Sequence, residues 1–277
     1  MDKGFPGIGS LPYMILYVDA DGEEFFMDAG LETDFLQWNM PLYHFTDREG
    51  LLLTNDGISW KTPSYYKKSS SKYTMNLNVD PAGETTVKAM MTGSGYSGYG
   101  LNNSYHSLKE QDSLHLFKKS FEENYEIELL ADVTFNNMES KNSKPEISFD
   151  YKYEINKDEL SFNPFANVLE KTIKDFEAEV REYPIQFQYP EKEIHEAVIT
   201  IPAGYKFETI PSDLELKMAD GSAILSYKVA KTDDTHLTIT VIYDYKQRVY
   251  SATKYAEFKK MHNDMMVQIK KDIKLSK

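Results

Sequence analysis

The segment HLTITVIYDY, residues 236–245, alternates apolar side chains with mostly polar ones. This period of two is typical of a β-strand that buries one of its faces. The segment therefore predicts a strand of the protein core. Its buried side chains would be Leu237, Ile239, Val241, Tyr243 and Tyr245.

Three shorter segments of the same kind precede this strand. They are separated by PAGY, ADGS and KTDDT, whose Pro, Gly and Asp residues favour turns. Short strands at regular intervals predict an antiparallel, sandwich-like β-domain. The three segments are EAVITI (196–201), DLELKMA (213–219) and SAILSYKVA (222–230).

One stretch downstream of these strands and one stretch upstream of them have helical spacing. Residues 252–270 carry an apolar stripe, and we predict that this helix packs in cis on a face of the C-terminal 196–245 sheet, where strand 236–245 offers its apolar side chains. The stretch 165–180 has similar spacing and predicts a further helix. The stripes are formed by Tyr255, Phe258, Met261, Met265 and Ile269, and by Leu169, Ile173, Phe176 and Val180.

The region 66–158 predicts a compact α+β unit. YTMNLNV (73–79), the turn DPAGE and the alternating residues 87–91 form a hairpin pattern. Residues 127–135 and 147–155 alternate in the same way. Between these strands, Leu114, Phe117 and Phe121 have helical spacing behind a possible Ser104 cap.

Composition excludes several classes of function. The 277 residues include 31 basic and 44 acidic side chains, so the formal charge of −13 disfavours a nucleic-acid partner. No cysteine is present, which excludes disulfides, zinc thiolates and thiol nucleophiles within the chain. The six histidines show no HxH or HExxH spacing, so we expect neither a metal site nor a cofactor.

Hydropathy gives no sign of a membrane segment. The apolar run from Tyr13 to Val18 is far shorter than the roughly 20 residues that span a bilayer. The first ten residues, MDKGFPGIGS, lack the apolar core of a signal peptide.

The C-terminal pattern resembles a known family. EYPIQFQYP (182–190), a strand ending in IPAGY, a following IP and a final Y..F helix resemble the C-terminal β-domain of bacterial transglutaminase-like proteins, common in Bacteroidetes. Those proteins carry domains of unknown function on both sides of a papain-like core. The resemblance implies three parts: the last strands of the core (1–65), a middle β-rich domain (66–158) and a C-terminal β-domain with its helix (159–277).

The same resemblance gives meaning to PYMILYVDADGEEFFMDAG, residues 12–30. The family's triad uses a Cys nucleophile, a His base and an orienting Asp. Tyr13 stands at the histidine position and Asp28 at the aspartate position, so at most one triad member remains. The resemblance thus implies a chain that is not itself an enzyme, with Asp28 as a remnant.

Simpler interpretations of these residues stay open. Asp28 can merely accept a hydrogen bond at the end of a strand, and Tyr13 can be a buried strand aromatic. DADG (19–22) predicts a hairpin turn, because an EF-hand loop requires Gly where Glu24 stands and Glu where Gly30 stands.

Two functions follow. The first is a non-catalytic scaffold or interaction module beside a papain-like core, with the catalytic part of its parent chain, a cell-envelope protein or a glycan as partner. The second is an independent carbohydrate- or peptide-binding β-module of the cell envelope. For the second, Tyr96, Tyr99 and Tyr105 on the glycine-rich loop 93–105 are the candidate ligand-binding residues. The resemblance implies a periplasmic or cell-surface location.

Overall fold

The computed structural model describes residues 14–27, 49–63, 69–80, 84–110, 114–125, 127–139, 144–169, 173 and 176–277. The chain is mainly β, with antiparallel sheets and few helices, as the sequence predicts. It divides into two compact units, Met1–Lys68 with Lys141–Ser143 and Ser69–Ser140 with Lys144–Lys277.

The described residues of the first unit form two hairpins, and DADG closes the first one. Asp21 and Gly22 have φ values of 55° and 82°, which is the left-handed geometry of a tight hairpin turn. The hairpin prediction for this motif is therefore confirmed. Lys61 joins the two hairpins, because its Nζ lies 3.0 Å from the Tyr17 hydroxyl and also contacts Glu24. The hairpin strands are β1 (Leu16–Ala20), β2 (Glu23–Met27), β3 (Gly50–Thr54) and β4 (Gly57–Lys61).

The described residues of the second unit form the remaining strands and three α-helices of more than ten residues. The helices are α1 (Tyr96–Glu110), α2 (Leu114–Tyr125) and α3 (Tyr255–Ile269). The strands are β5 (Ser69–Asn78), β6 (Glu84–Ser94), β7 (Glu128–Leu129), β8 (Thr134–Asn136), β9 (Glu146–Glu154), β10 (Ser161–Phe162), β11 (Ile185–Gln186), β12 (Glu191–Thr200), β13 (Lys206–Thr209), β14 (Leu214–Lys217), β15 (Ala223–Lys231), β16 (His236–Tyr245), β17 (Val249–Tyr250) and β18 (Ile273–Ser276).

A nine-stranded sheet organises this unit. Its order is β14-β15-β16-β12-β5-β6-β9-β7, with β8 also paired to β9. All neighbours are antiparallel except β12 and β5, which run parallel from Glu191 opposite Ser69 to Thr200 opposite Asn78. Two smaller sheets, β10-β18-β13 and β11-β17, accompany it.

The parallel β12–β5 pair corrects the predicted boundary at residues 158 and 159. Both strands are long, and each provides hydrogen-bond partners for the backbone N–H and carbonyl groups that would otherwise form an open edge of the other. The predicted middle and C-terminal domains consequently share one sheet. The predicted boundary near residue 65 lies close to the division between Lys68 and Ser69.

Helix α3 covers the sheet as predicted. All five residues of its apolar stripe are buried, and Phe258, Met265 and Ile269 are fully so. The helix packs against β14 and β15. The Tyr243 hydroxyl, on the buried face of β16, lies 3.8 Å from the sulfur of Met266. The cis docking of this helix is confirmed.

Three predicted elements differ from the structure. The strand at 127–135 is split into β7 and β8. The helix predicted at 165–180 is wrong over 176–180, which has neither helix nor strand. Helix α1 begins at Tyr96, before the predicted Ser104 cap, because glycines allow its first turn to pack directly on β6.

Candidate functional site

The two residues aligned with the triad lie outside the described residues. These are Tyr13 and Asp28, and their proposed relation to a papain-like triad stays a prediction.

The predicted ligand-binding tyrosines lie on helix α1, so their placement on a flexible loop is corrected. Tyr96 is buried and stacks on Tyr189, with ring centroids 5.1 Å apart. Tyr105 packs on Phe135 at 5.0 Å, and Tyr99 is half-buried. Tyr96 and Tyr105 are nine positions apart, which places them on opposite sides of a helix. The three rings therefore do not form one stacking platform.

Glycines explain why this segment is not a loop. Gly95 has a φ of 60° and turns the chain from β6 into α1. A Cβ on Gly93 would lie 2.7 Å from the backbone nitrogen of Gly98. The Tyr96 N–H donates to the Ser69 hydroxyl at 2.9 Å, which anchors the helix start on β5. The motif GSGYSG is thus a close-packed strand-to-helix junction.

A row of titratable side chains lies on the covered face of the central strand β12. It consists of Glu191, Glu193 and His195, which alternate with the outward-facing residues. Burial raises the pKa of Glu191, while hydrogen bonds from Ser97 and Ser71 oppose that rise. The row is a polar insertion in an otherwise apolar core.

His195 is the member of the row whose hydrogen-bonding groups are least satisfied. Its Nε2 lies 3.6 Å from Glu193 Oε2, and its ring lies 6.3 Å from that of Tyr73. Both ring nitrogens are buried without a hydrogen-bond partner among the described residues. The Ser97 hydroxyl donates to Glu191 and not to the imidazole, so the contacts differ from a nucleophile–base pair. Within the described ranges, no cluster of His, Asp and Glu fits a metal ion.

A second polar arrangement joins helix α3 to residues 176–184, which we term the strap. Asn263 makes two bonds to the Phe176 backbone: its Oδ1 accepts the N–H at 3.0 Å, and its Nδ2 donates to the carbonyl at 3.2 Å. Lys259 Nζ donates to the carbonyls of Glu177 and Ala178 at 3.2 and 2.9 Å.

Tyr255 adds a further bond by donating its hydroxyl to the Ala178 carbonyl at 2.7 Å. We term these hydrogen bonds between the side chains of Tyr255, Lys259 and Asn263 and the strap backbone the ladder. Tyr255, Lys259 and Asn263 follow one another at intervals of four, so they lie on one side of the helix. As the strap advances, its partners move back along α3, so the two run antiparallel. The polar side chains of the helix thus bind the backbone atoms of the strap.

Three strap side chains add to the ladder, and one of them is Arg181, whose guanidinium carbon lies 5.7 Å from the centre of the Tyr255 ring. The Phe176 ring lies edge-on to three rings of α3, at 6.0 Å from Tyr255, 5.5 Å from Phe258 and 4.8 Å from His262. The Glu179 carboxylate lies 3.5 Å from Lys259 Nζ. Helix α3 therefore holds an aromatic anchor, backbone carbonyls and a carboxylate of the strap, with Lys259 binding both carbonyls and the carboxylate.

The remainder of the strap is exposed. Residues 177–184 are all solvent-accessible, and Val180 and Tyr183 are 81% and 76% exposed. Each hydrogen bond contributes a net free energy of about 1 kcal/mol, and ordering the backbone costs about 1–2 kcal/mol per residue. The five hydrogen bonds of the ladder do not exceed the cost of ordering the nine strap residues, which favours local opening of the strap.

The uncovered face of the sheet is polar. Across the described strands β5, β6, β9, β12, β15 and β16, the outward positions carry Ser, Thr, Asn, Lys, Asp, Glu, one His, one Met and some aliphatic side chains, with no Phe, Tyr or Trp. The aromatic side chains of these strands occupy the covered face. The uncovered face therefore lacks the rings on which sugars commonly stack.

A cleft lies beside the C-terminal end of α3. It has a volume of about 470 Å³ and combines carboxylates and amides with one ammonium group. Leu160, with a φ of 49°, lies in the adjoining turn. The cleft is lined by Glu154, Asn156, Glu159, Ser161, Phe162, Asn163, Ala166, Lys270 and Asp272.

The fold and the ladder define a mainly β module whose surface helix holds an irregular segment of chain. Residues 158–275 match a family described as a domain of unknown function with a solved structure, DUF3858. No curated protein and no solved structure matches the chain. The matched region runs from the turn after β9 to β18 and includes the strap and α3, whereas β5, the neighbour of β12, lies outside it. In the described part of the chain, no helix is long and apolar enough to cross a membrane.

Local sequence does not predict the ladder. The helical spacing of Leu169, Ile173, Phe176 and Val180 predicts a helix at Phe176 instead. The available signal was on α3, where Tyr255, Lys259 and Asn263 form a second, hydrogen-bonding stripe beside the apolar one. Such a stripe identifies a partner only once the facing segment is known.

Proposed function

We propose that this chain is a non-catalytic interaction module that works beside a papain-like, transglutaminase-like core. The observation that carries the proposal is the ladder on α3, which holds an irregular segment through backbone atoms. Contacts of this kind are how proteins bind extended segments of other chains. The ladder lies within the region that matches DUF3858.

Sequence composition supports the non-catalytic part of the proposal. The chain has no cysteine to act as the nucleophile of a papain-like triad. The resemblance to transglutaminase-like proteins supplies the expected neighbour, and it also underlies a periplasmic or cell-surface location. Asp28 is, in this proposal, a remnant of the triad.

The carbohydrate alternative draws less support from the described residues. Tyr96 is buried, Tyr105 lies on the opposite side of α1, and the outward positions of the long strands have no aromatic ring. A peptide partner is favoured over a glycan for this reason.

An activity assay tests the non-catalytic role. The purified chain is incubated with a glutamine-containing peptide and a labelled amine, and in parallel with a quenched peptide substrate. We expect no turnover above a buffer control. Turnover that survives Asp28→Asn would reveal a different active site, and turnover abolished by that change would give Asp28 a catalytic role. Either result would contradict the proposal.

A further inference from the structure

We propose that the strap occupies, in cis, a peptide-binding groove on α3, and that an extended partner segment with an aromatic residue followed three positions later by a carboxylate replaces it. The proposal rests on the interaction role above and adds the chemistry of the partner. In the strap these two positions are Phe176 and Glu179.

The backbone contacts explain why another chain can take this place. Asn263 pairs with both the N–H and the carbonyl of one residue. Lys259 and Tyr255 donate to the carbonyls that follow, whatever side chains those residues carry. Every L-residue except proline offers these backbone groups. The ladder therefore fixes the direction and level of a segment without fixing most of its sequence.

Phe176 and Glu179 give the groove most of its selectivity, and the Arg181 guanidinium adds a contact 5.7 Å from the centre of the Tyr255 ring. The ring of Phe176 enters a space bounded by Tyr255, Phe258 and His262, so the first position requires an aromatic group. Lys259 faces the Glu179 carboxylate at 3.5 Å, so a negative charge is favoured three positions later. A segment lacking either group makes fewer contacts than the strap.

The strap is suited to leave the groove. Its ring anchor is Phe176, and Glu179 is 94% exposed although it pairs with Lys259. Residues 177–184 have neither helix nor strand and are solvent-accessible. A partner segment binds only when the strap is off, so the strap lowers the apparent affinity in proportion to the time it is bound.

Fluorescence anisotropy with a labelled peptide of residues 176–184, FEAEVREYP, tests this proposal. The proteins are the wild-type chain, Phe176→Ala and Glu179→Lys, which weaken the strap at its anchor and at its ion pair. We expect the peptide to bind Phe176→Ala about tenfold more tightly than the wild type, and Glu179→Lys about threefold more tightly, since each variant frees the groove. Tyr183→Ala, in the exposed part of the strap, is the matched control and should behave as the wild type.

Two further variants locate the binding on the ladder. Asn263→Asp, added to Glu179→Lys, keeps the size of the side chain but removes its N–H donors, and it should reverse the gain in affinity. A peptide with its Phe replaced by Ala, AEAEVREYP, should bind at least about tenfold more weakly.

Equal affinity of the peptide for the wild type and for folded Glu179→Lys, checked by circular dichroism, would overturn the proposal. Equal binding of the Ala peptide would do so as well. The probe is a segment of this chain and requires no papain-like core, so failure here leaves the proposed role beside such a core standing. Conversely, enzymatic turnover by this chain would leave the groove intact.

Discussion

At the scale of single residues, glycine has two distinct roles in and beside helix α1. Gly93 and Gly98 let the backbones of β6 and α1 touch, since a Cβ on Gly93 would lie 2.7 Å from the Gly98 nitrogen. Gly100, in the same helix, has open space around its would-be Cβ. The same substitution should therefore have opposite effects at the two positions.

Gly93→Ala should destabilise the chain by about 1–3 kcal/mol or more, because backbone atoms must move apart. Gly100→Ala should stabilise it by about 0.5–1 kcal/mol, because alanine loses less conformational entropy in a helix. Urea unfolding of both variants beside the wild type checks this. A neutral Gly93→Ala would mean that α1 does not pack on β6 as described.

Glu191 gives a prediction of pH dependence. Burial raises its pKa above the ordinary value of 4.5, so at higher pH the folded state carries a partly desolvated carboxylate. Its contribution to stability therefore increases as pH falls through the raised pKa and levels off below the unfolded value. Glu191→Gln should reduce the difference in melting temperature between about pH 5 and pH 8.

The matched control for this experiment is Glu208→Gln, at an exposed position on β13. It should leave the pH dependence of the melting temperature as in the wild type. A Glu191→Gln variant whose pH profile is unchanged would show that the carboxyl is not desolvated in solution.

At the scale of elements, helix α3 is the part of the fold whose removal should cost most. Phe258 is fully buried and contacts the rings of Tyr245, Tyr250 and Phe187. Phe258→Ala should lower the free energy of unfolding by about 3–5 kcal/mol. Val267→Ala, on the exposed side of the same helix at 65% exposure, should change it by less than about 0.5 kcal/mol. Equal effects in urea unfolding would contradict the packing of α3.

The sequence predicts the individual helices and strands better than it predicts which of them pair with each other. The periods of two and 3.6 predict β16, β9 and α3, because each of these elements is at least nine residues long and buries one continuous face. The pairing of β12 with β5 was missed, because strands 113 or more positions apart in sequence carry no local signal of adjacency. β18 was missed as well, since Ile273 and Leu275 give only two alternating apolar positions.

The candidate site was less predictable than the fold. GSGYSG has the composition of a loop, and only the contact between Gly93 and Gly98 shows why it is a junction. Phe176 has helical spacing with its neighbours, yet it is held as irregular chain by Asn263, which lies 87 positions away. Both sites depend on tertiary contacts that override local preference.

At the scale of the whole molecule, the nine-stranded sheet makes residues 69–277 one cooperative unit. A fragment of residues 69–277 should be soluble and unfold in a single transition. A fragment of residues 159–277 should aggregate or melt at lower temperature, because β12 loses its ten paired positions with β5 and exposes an open edge. Calorimetry and light scattering of the two fragments check this. Equal stability of the two fragments would instead support two independently folding domains.

The most direct test of the interaction role is a calorimetric titration of the whole chain with a purified papain-like transglutaminase domain from the same genome. We predict saturable binding with a Kd in about the micromolar range or tighter and no change in either protein's covalent state. The absence of saturable heat at concentrations well above that range, with both proteins shown to be folded, would contradict the role beside a papain-like core.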